Sequence, residues 1–186
     1  MKPSSHRPPL SPAWQRGFTL VELIVVIVIV GILGVAAASR FFDRNVMDSR
    51  TFADEAGSLM RYAHKVAIAQ NRDVWVVLET GGIKLCFTKD CPTGQRVPAP
   101  GTVNSDSAAT KLFCNDPAWA CEAPRSPISV GSTLKFYFDP IGKPFAEANV
   151  SPTSVSSIVS PLVVNIMDGG VAKRAITIEA ETGYVH

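Results

Sequence analysis

Apolar positions change their rhythm three times along this 186-residue chain. From Phe18 to Ser39 they run almost unbroken: fourteen of the 22 residues are Phe, Leu, Ile or Val, and Glu22 is the only charge. At helical rise that stretch is long enough to cross the hydrocarbon core of a bilayer. Near the centre of a membrane helix such side chains contribute on the order of −4 to −8 kcal/mol together, against a penalty of about +3 for one acid. Residues 18–39 are therefore expected to insert despite Glu22. From Phe52 the spacing becomes helical and one-sided, with Phe52, Ala56, Leu59, Met60, Ala63, Val66 and Ala67 three or four residues apart. This predicts an amphipathic helix within 40–73. Asp48 or Ser49 can cap it, Asp54 and Glu55 lie near its start, and Arg61, Lys65 and Arg72 lie towards its end, as the helix dipole favours. His64, alone among polar neighbours, reads as a surface or boundary residue.

Beyond Asn71-Arg72-Asp73 the pattern is that of strands. Val74–Glu79 and Ile83–Phe87 flank Gly81-Gly82 and read as a hairpin. Leu134–Asp139, Leu162–Met167, Arg174–Glu179 and Gly183–His186 read as further strands, separated by the turn sequences Asp139–Pro144, Asp168-Gly169-Gly170 and Glu181-Thr182-Gly183. Residues 88–132 are different in kind. Rich in Pro, Gly, Ser, Asn and Asp, with apolar patches only around Leu112-Phe113 and Trp119, they predict a long insertion loop within the β domain 74–186. Phe113 and Trp119 either make exposed contacts or cover a sheet edge, and the second reading is favoured.

Charge fixes the direction of the chain across a membrane. Lys2, Arg7 and Arg16 precede the apolar run and no acid occurs in residues 1–21, so the positive-inside rule keeps the leader cytoplasmic and sends the body outside. Without those three, the 18 basic residues fall to 15 against 16 acidic, which does not support generic nucleic-acid binding. The four cysteines, Cys86, Cys91, Cys114 and Cys121, all lie beyond the apolar run, where an oxidising envelope compartment makes two disulfides the natural expectation. Four cysteines permit three connectivities. The local pairs Cys86 with Cys91 and Cys114 with Cys121 are favoured because each would staple a short loop, though spacing does not settle it. Zinc is the rival reading, weakened by the absence of two-residue ligand spacing.

A carboxylate inside an apolar run is costly and usually functional. Here Arg16-Gly17-Phe18-Thr19-Leu20-Val21-Glu22-Leu23 closely resembles the class III signal motif of type IV pilins and type II secretion pseudopilins. The resemblance implies that prepilin peptidase removes residues 1–17 by cutting after Gly17, and that Phe18 becomes the N-methylated N-terminus. It also implies that Glu22 pairs with the N-terminal amine of an adjacent subunit during assembly. A secretory signal would instead be cut after its apolar core, for which Ala36-Ala37-Ala38-Ser39 is the candidate sequence. The core here exceeds the usual 7 to 15 residues and follows the junction, so it is kept in the mature chain. The implied fold is α+β and type IV pilin-like, with a long N-terminal helix, continuous from 18–39 into 40–73, packed on an antiparallel sheet. Phe138-Asp139-Pro140-Ile141-Gly142-Lys143-Pro144 resembles the FDPxGxP signature of the GspH/FimT group of minor pilins and pseudopilins. The ending Ile176–His186 is similar to minor pilins of the mannose-sensitive haemagglutinin (MSHA) group, the MshC type.

Catalysis finds no constellation. There are three histidines, His6 in the leader, His64 and the terminal His186, and the sequence contains no phosphate loop, nucleophile elbow or metal-ligand spacing. No cofactor is implied. The leading expectation is a non-enzymatic minor pilin or pseudopilin in the inner membrane, its C-terminal domain in the periplasm. Its partners would be prepilin peptidase and other major and minor pilins, and its destination a type IV pilus or type II secretion pseudopilus. The alternatives are a FimT-like DNA-capture subunit for natural transformation and a tip subunit that binds a surface or substrate through 88–132. Against DNA, Lys173 and Arg174 are followed by Glu179 and Glu181 with no later basic residue except His186.

Overall fold

The computed structural model describes residues 18–41, 44–151 and 154–186, with the side chains of 35–44 outside the description. The chain divides into two units, Met1–Asp43 and Arg44–His186. In the first, helix α1 spans Leu20–Phe41. Its described side chains are exposed on every side, Leu23, Ile27 and Val30 among them.

The second unit opens with α2, Arg44–Gln70. The predicted start at Asp48 or Ser49 is corrected: the helix is already under way, and Ser49 is buried inside it, its hydroxyl donating to the Val46 carbonyl at 2.9 Å. Back-bonding of this kind lets a serine sit within a helix, so a capping residue type alone could not mark the boundary. The helix ends where Asn71 takes a left-handed conformation and the Arg72 amide reaches back to the Ala67 carbonyl at 3.1 Å. The stripe read from the sequence, Phe52 to Ala67, is buried along its length.

Two antiparallel sheets receive that stripe, where one was expected. The larger has the order β3-β2-β1-β5-β6, from β1 (Val74–Glu79), β2 (Gly82–Cys86), β3 (Cys121–Glu122), β5 (Leu134–Phe138) and β6 (Pro144–Ala146). The smaller has the order β4-β7-β8, from β4 (Ile128–Val130), β7 (Leu162–Asp168) and β8 (Val171–Ile178). Helix α2 packs on strands of both sheets. Val74, Val76, Leu78, Ile83, Leu85, Phe136 and Phe138 from the larger sheet meet Val164, Ile166, Ile176 and Ile178 from the smaller in one core under the helix. The expected strand at Gly183–His186 is reduced to a single bridge between Ile178 and Val185.

Residues 88–132 are not a plain loop. They hold two short 3-10 turns, helix α3 (Ala108–Cys114), β3 and β4. Ser107 caps α3, its hydroxyl accepting from the Thr110 amide at 3.1 Å, and Asn115 closes it in a left-handed conformation. Disulfides join Cys86 to Cys91 and Cys114 to Cys121, the second tying α3 to β3. Both pack around Trp119 on the face of the larger sheet turned away from α2. Trp119 is buried and its indole donates to the Leu85 carbonyl at 2.8 Å, while Phe113 is half-buried. The two aromatics therefore cover the sheet.

Candidate functional site

The N-terminal junction is built by α1's own first turn. Thr19 caps the helix: its hydroxyl accepts from the Glu22 amide at 3.2 Å and its carbonyl from the Leu23 amide at 3.1 Å. Glu22 stands three residues after the cap, the spacing of a capping box, and its carboxylate lies in the positive first turn of the helix. That signal, a threonine followed three residues later by glutamate, was present in the sequence and identifies Thr19 as a positioning residue that the motif reading alone passes over. Phe18 and Glu22 are both exposed, one turn apart. Gly17 and the rest of the expected leader lie outside the described residues. Among the described residues no helix is long and apolar enough to cross a membrane, the described side chains of α1 ending at Gly34.

Chemically, the arrangement offers a carboxylate held at a helix start on a rod of exposed aliphatic side chains. A helix apolar all round is stable only when something apolar surrounds it. Glu22 is the single acid on that rod, so whatever surrounds the rod must also provide a positive charge or let the carboxylate reach water.

The remaining predicted residues fall elsewhere. All four cysteines are in disulfides, which leaves no thiolate for zinc, and no group of three metal-ligating side chains occurs among the described residues. The pocket beside the disulfides, about 450 Å³, is bordered by Lys84, Lys89, Arg96, Lys135, Glu79 and Asp90. Its cations are largely spoken for: Lys84 pairs with Glu79 at 2.9 Å, Arg96 with Asp116 at 3.0 Å and Lys135 with Glu147 at 3.9 Å. Behind it, the buried Glu122 carboxylate accepts from the Ser105 amide at 2.6 Å, from Thr110 Oγ1 at 2.8 Å and from the Ser105 hydroxyl.

The Asp-Pro-Ile-Gly-Lys-Pro turn has a clear mechanical role. Asp139 Oδ1 accepts from the Ile141 and Lys143 amides at 3.0 and 2.8 Å, and Gly142 passes directly against His64 of α2. His64 Nε2 lies 3.2 Å from the Thr182 carbonyl, and its ring meets Phe138 edge-on. The turn, the C-terminal segment and α2 are thereby locked together. Lys173 and Arg174 lie exposed on β8, while Glu179 pairs with His186 and Glu181 with Lys143.

Comparison with known proteins supplies the context. The family described as the prokaryotic N-terminal methylation motif matches residues 15–38. A relative from Thermus thermophilus, the type IV narrow pilus major component PilA5, is 37% identical over 59 residues. That match covers 32% of this chain and spans about half, 51%, of the relative. No solved structure matches this chain. The α+β architecture, with antiparallel sheets and two disulfides, fits a pilin-like fold. The methylation motif thus encloses Phe18, Thr19 and Glu22, and over 59 residues the chain is similar to a type IV pilus component.

Proposed function

We propose that this chain is a minor pilin or pseudopilin of the GspH/FimT group, processed by prepilin peptidase and incorporated into a type IV pilus or type II secretion filament. Residues 1–17 are the leader, removed after Gly17. Phe18 is the N-methylated terminus, 18–39 is the single inner-membrane span, and Arg44–His186 is held in the periplasm until assembly. On extraction from the bilayer, α1 exchanges lipid for the helices of neighbouring subunits. Glu22 is then neutralised by the Phe18 amine of the adjacent subunit, and that pairing selects the axial register.

The observation that carries this reading is α1 itself: exposed aliphatic side chains all round, one carboxylate in the capped first turn, and the methylation motif across its start. The Asp139–Pro144 turn supports the GspH/FimT assignment through its sequence. Breaking a buried ion pair by removing one partner costs about 3–5 kcal/mol, so the pair is a strong determinant of assembly. Glu22→Val is expected to insert in the membrane at the parent level while its recovery in sheared filaments falls by at least an order of magnitude. Recovery at the parent level would count against the mechanism.

A further inference from the structure

Between the C-terminal half of α2 and the segment 182–185 lies a groove of about 350 Å³, bordered on the helix side by Arg61, His64 and Lys65. Large apolar side chains stand on it and beside it. Tyr184 is 63% exposed, its ring stacked on that of His186 with centroids 5.5 Å apart. Ile68, half-exposed, reaches the Gly142 turn, and Ile141 on that turn is 80% exposed. Charge on the two sides is unequal. Among the described residues Arg61 and Lys65 form no ion pair, and Arg61 is steadied by donating to the Ser58 hydroxyl at 3.1 Å. The acids of the C-terminal segment are already occupied, Glu179 by His186 at 3.0 Å and Glu181 by Lys143 at 2.7 Å. Scattered exposed apolar residues need no explanation, but here they adjoin two unpaired cations. Tyrosine and arginine are also the residue types that carry most of the energy at protein interfaces.

We propose that this groove seats a segment of a neighbouring filament subunit of a different kind, with an apolar side chain against Tyr184 and flanking carboxylates on Arg61 and Lys65. The proposal rests on the filament reading above, in which a minor subunit has other subunits, not its own copies, as neighbours. Charge complementarity selects an acidic occupant, and the exposed Tyr184, Ile68 and Ile141 select one that is also apolar. A continuous polyanion fits less well, because Glu179 and Glu181 flank the same segment and repel a run of phosphates. A groove of this volume seats a side chain or two, well short of a standard interface. It therefore anchors a larger contact, in which α1 supplies most of the buried area, and it sets which subunit sits beside this one. A neighbour with a basic segment at the same place would be rejected by Arg61 and Lys65, which is how specificity by unfavourable alternatives works.

The test puts the photo-cross-linking residue p-benzoylphenylalanine in place of Tyr184, and separately of Ile141, in the full-length chain within cells that assemble the filament. After irradiation and shearing, the cross-linked peptide is identified by mass spectrometry. The expected product joins this chain to a different subunit with its own N-terminal methylation motif, at a peptide in which acidic residues flank an apolar one. Arg61→Glu/Lys65→Glu is expected to lower the cross-link per incorporated chain about tenfold through repulsion, and Arg61→Lys/Lys65→Arg to keep it. Thermal unfolding should be unchanged in both, since the two side chains are exposed. A cross-link to a second copy of this chain, to a protein without that motif, or at a segment without acids would overturn the proposal. So would a yield that charge reversal leaves unchanged, or no cross-link from either probe. Each of those results leaves the filament reading standing as long as the unsubstituted chain is recovered in sheared filaments and Glu22→Val is not. An unsubstituted chain absent from filaments would remove that reading and this contact together.

Discussion

Glu122 is a buried carboxylate far from the N-terminal motif, and its surroundings make a sharp prediction about what holds the disulfide lobe in place. It accepts from the Ser105 amide, the Ser105 hydroxyl and Thr110 Oγ1, while Thr110 in turn receives the Ala123 amide at 3.1 Å. These bonds tie the segment before α3 to β3. Hydrogen bonds to a charged group contribute about 1.5–3 kcal/mol each, and a donor left unsatisfied in a buried place costs a comparable amount. Two of the three losses are softened in Glu122→Ala. Ser105 is exposed, so water recovers part of its bonding, and Thr110 Oγ1 lies 3.5 Å from the Ala123 carbonyl, to which its hydroxyl can turn. The net destabilisation is therefore about 2–3 kcal/mol, a drop in Tm of roughly 6–10 °C at about 3 °C per kcal/mol. Glu122→Gln keeps one acceptor oxygen and should lose about 1 kcal/mol. Urea and thermal unfolding of the full-length protein in detergent, disulfides intact, measures both. An Ala variant within about 0.5 kcal/mol of the parent, or a Gln variant as damaging as Ala, would refute the assignment of these bonds as structural.

Gly183 has φ +65, and a Cβ there would run into the Gly142 carbonyl and approach His64 and Phe138; Gly183→Ala should cost about 2–4 kcal/mol, whereas Gly169→Ala, at φ +56 in open space, should cost about 1, both read from urea midpoints. Removing the Cys114–Cys121 bond as a double serine variant frees a short loop and should lower stability by about 2–3 kcal/mol, measured by the same unfolding curves. Burial, then the neighbouring Glu122 charge, raises the Glu55 pKa. The folded state therefore binds this proton more readily than the unfolded chain. The stability associated with it is present at low pH and lost as pH rises from the ordinary carboxylate range through the raised value. Glu55→Gln should flatten that decline and be more stable than the parent near neutrality, which unfolding curves across roughly pH 4 to 7 will show.

The parts of the molecule that could be read from the sequence are those where one periodicity persists. The α2 stripe from Phe52 to Ala67 stands where spacing places it, and the β1–β2 hairpin differs by one residue, its turn being Thr80-Gly81 with Gly82 already in β2. Residues 88–132 defeated the same reasoning because their elements are short. A seven-residue helix and strands of two and three residues leave no period to detect, and their order comes from disulfides, Trp119 and the Glu122 bonds. The second sheet was hidden for a different reason: strand patterns say which face is apolar but not which neighbour a strand takes, and here β4 pairs with β7 across more than thirty residues. At the candidate site, Phe18 and Glu22 were visible as a motif. Thr19 was visible only as half of a capping box.

Where the mature chain begins separates a processed filament subunit from every other reading of α1. Intact mass and N-terminal peptide mapping of the protein recovered from membranes, with and without prepilin peptidase, decide this. The expected result is a peptidase-dependent chain that starts at N-methyl-Phe18 and retains α1. A chain cut near Ser39, or one of unchanged length in the presence of the peptidase, would contradict it.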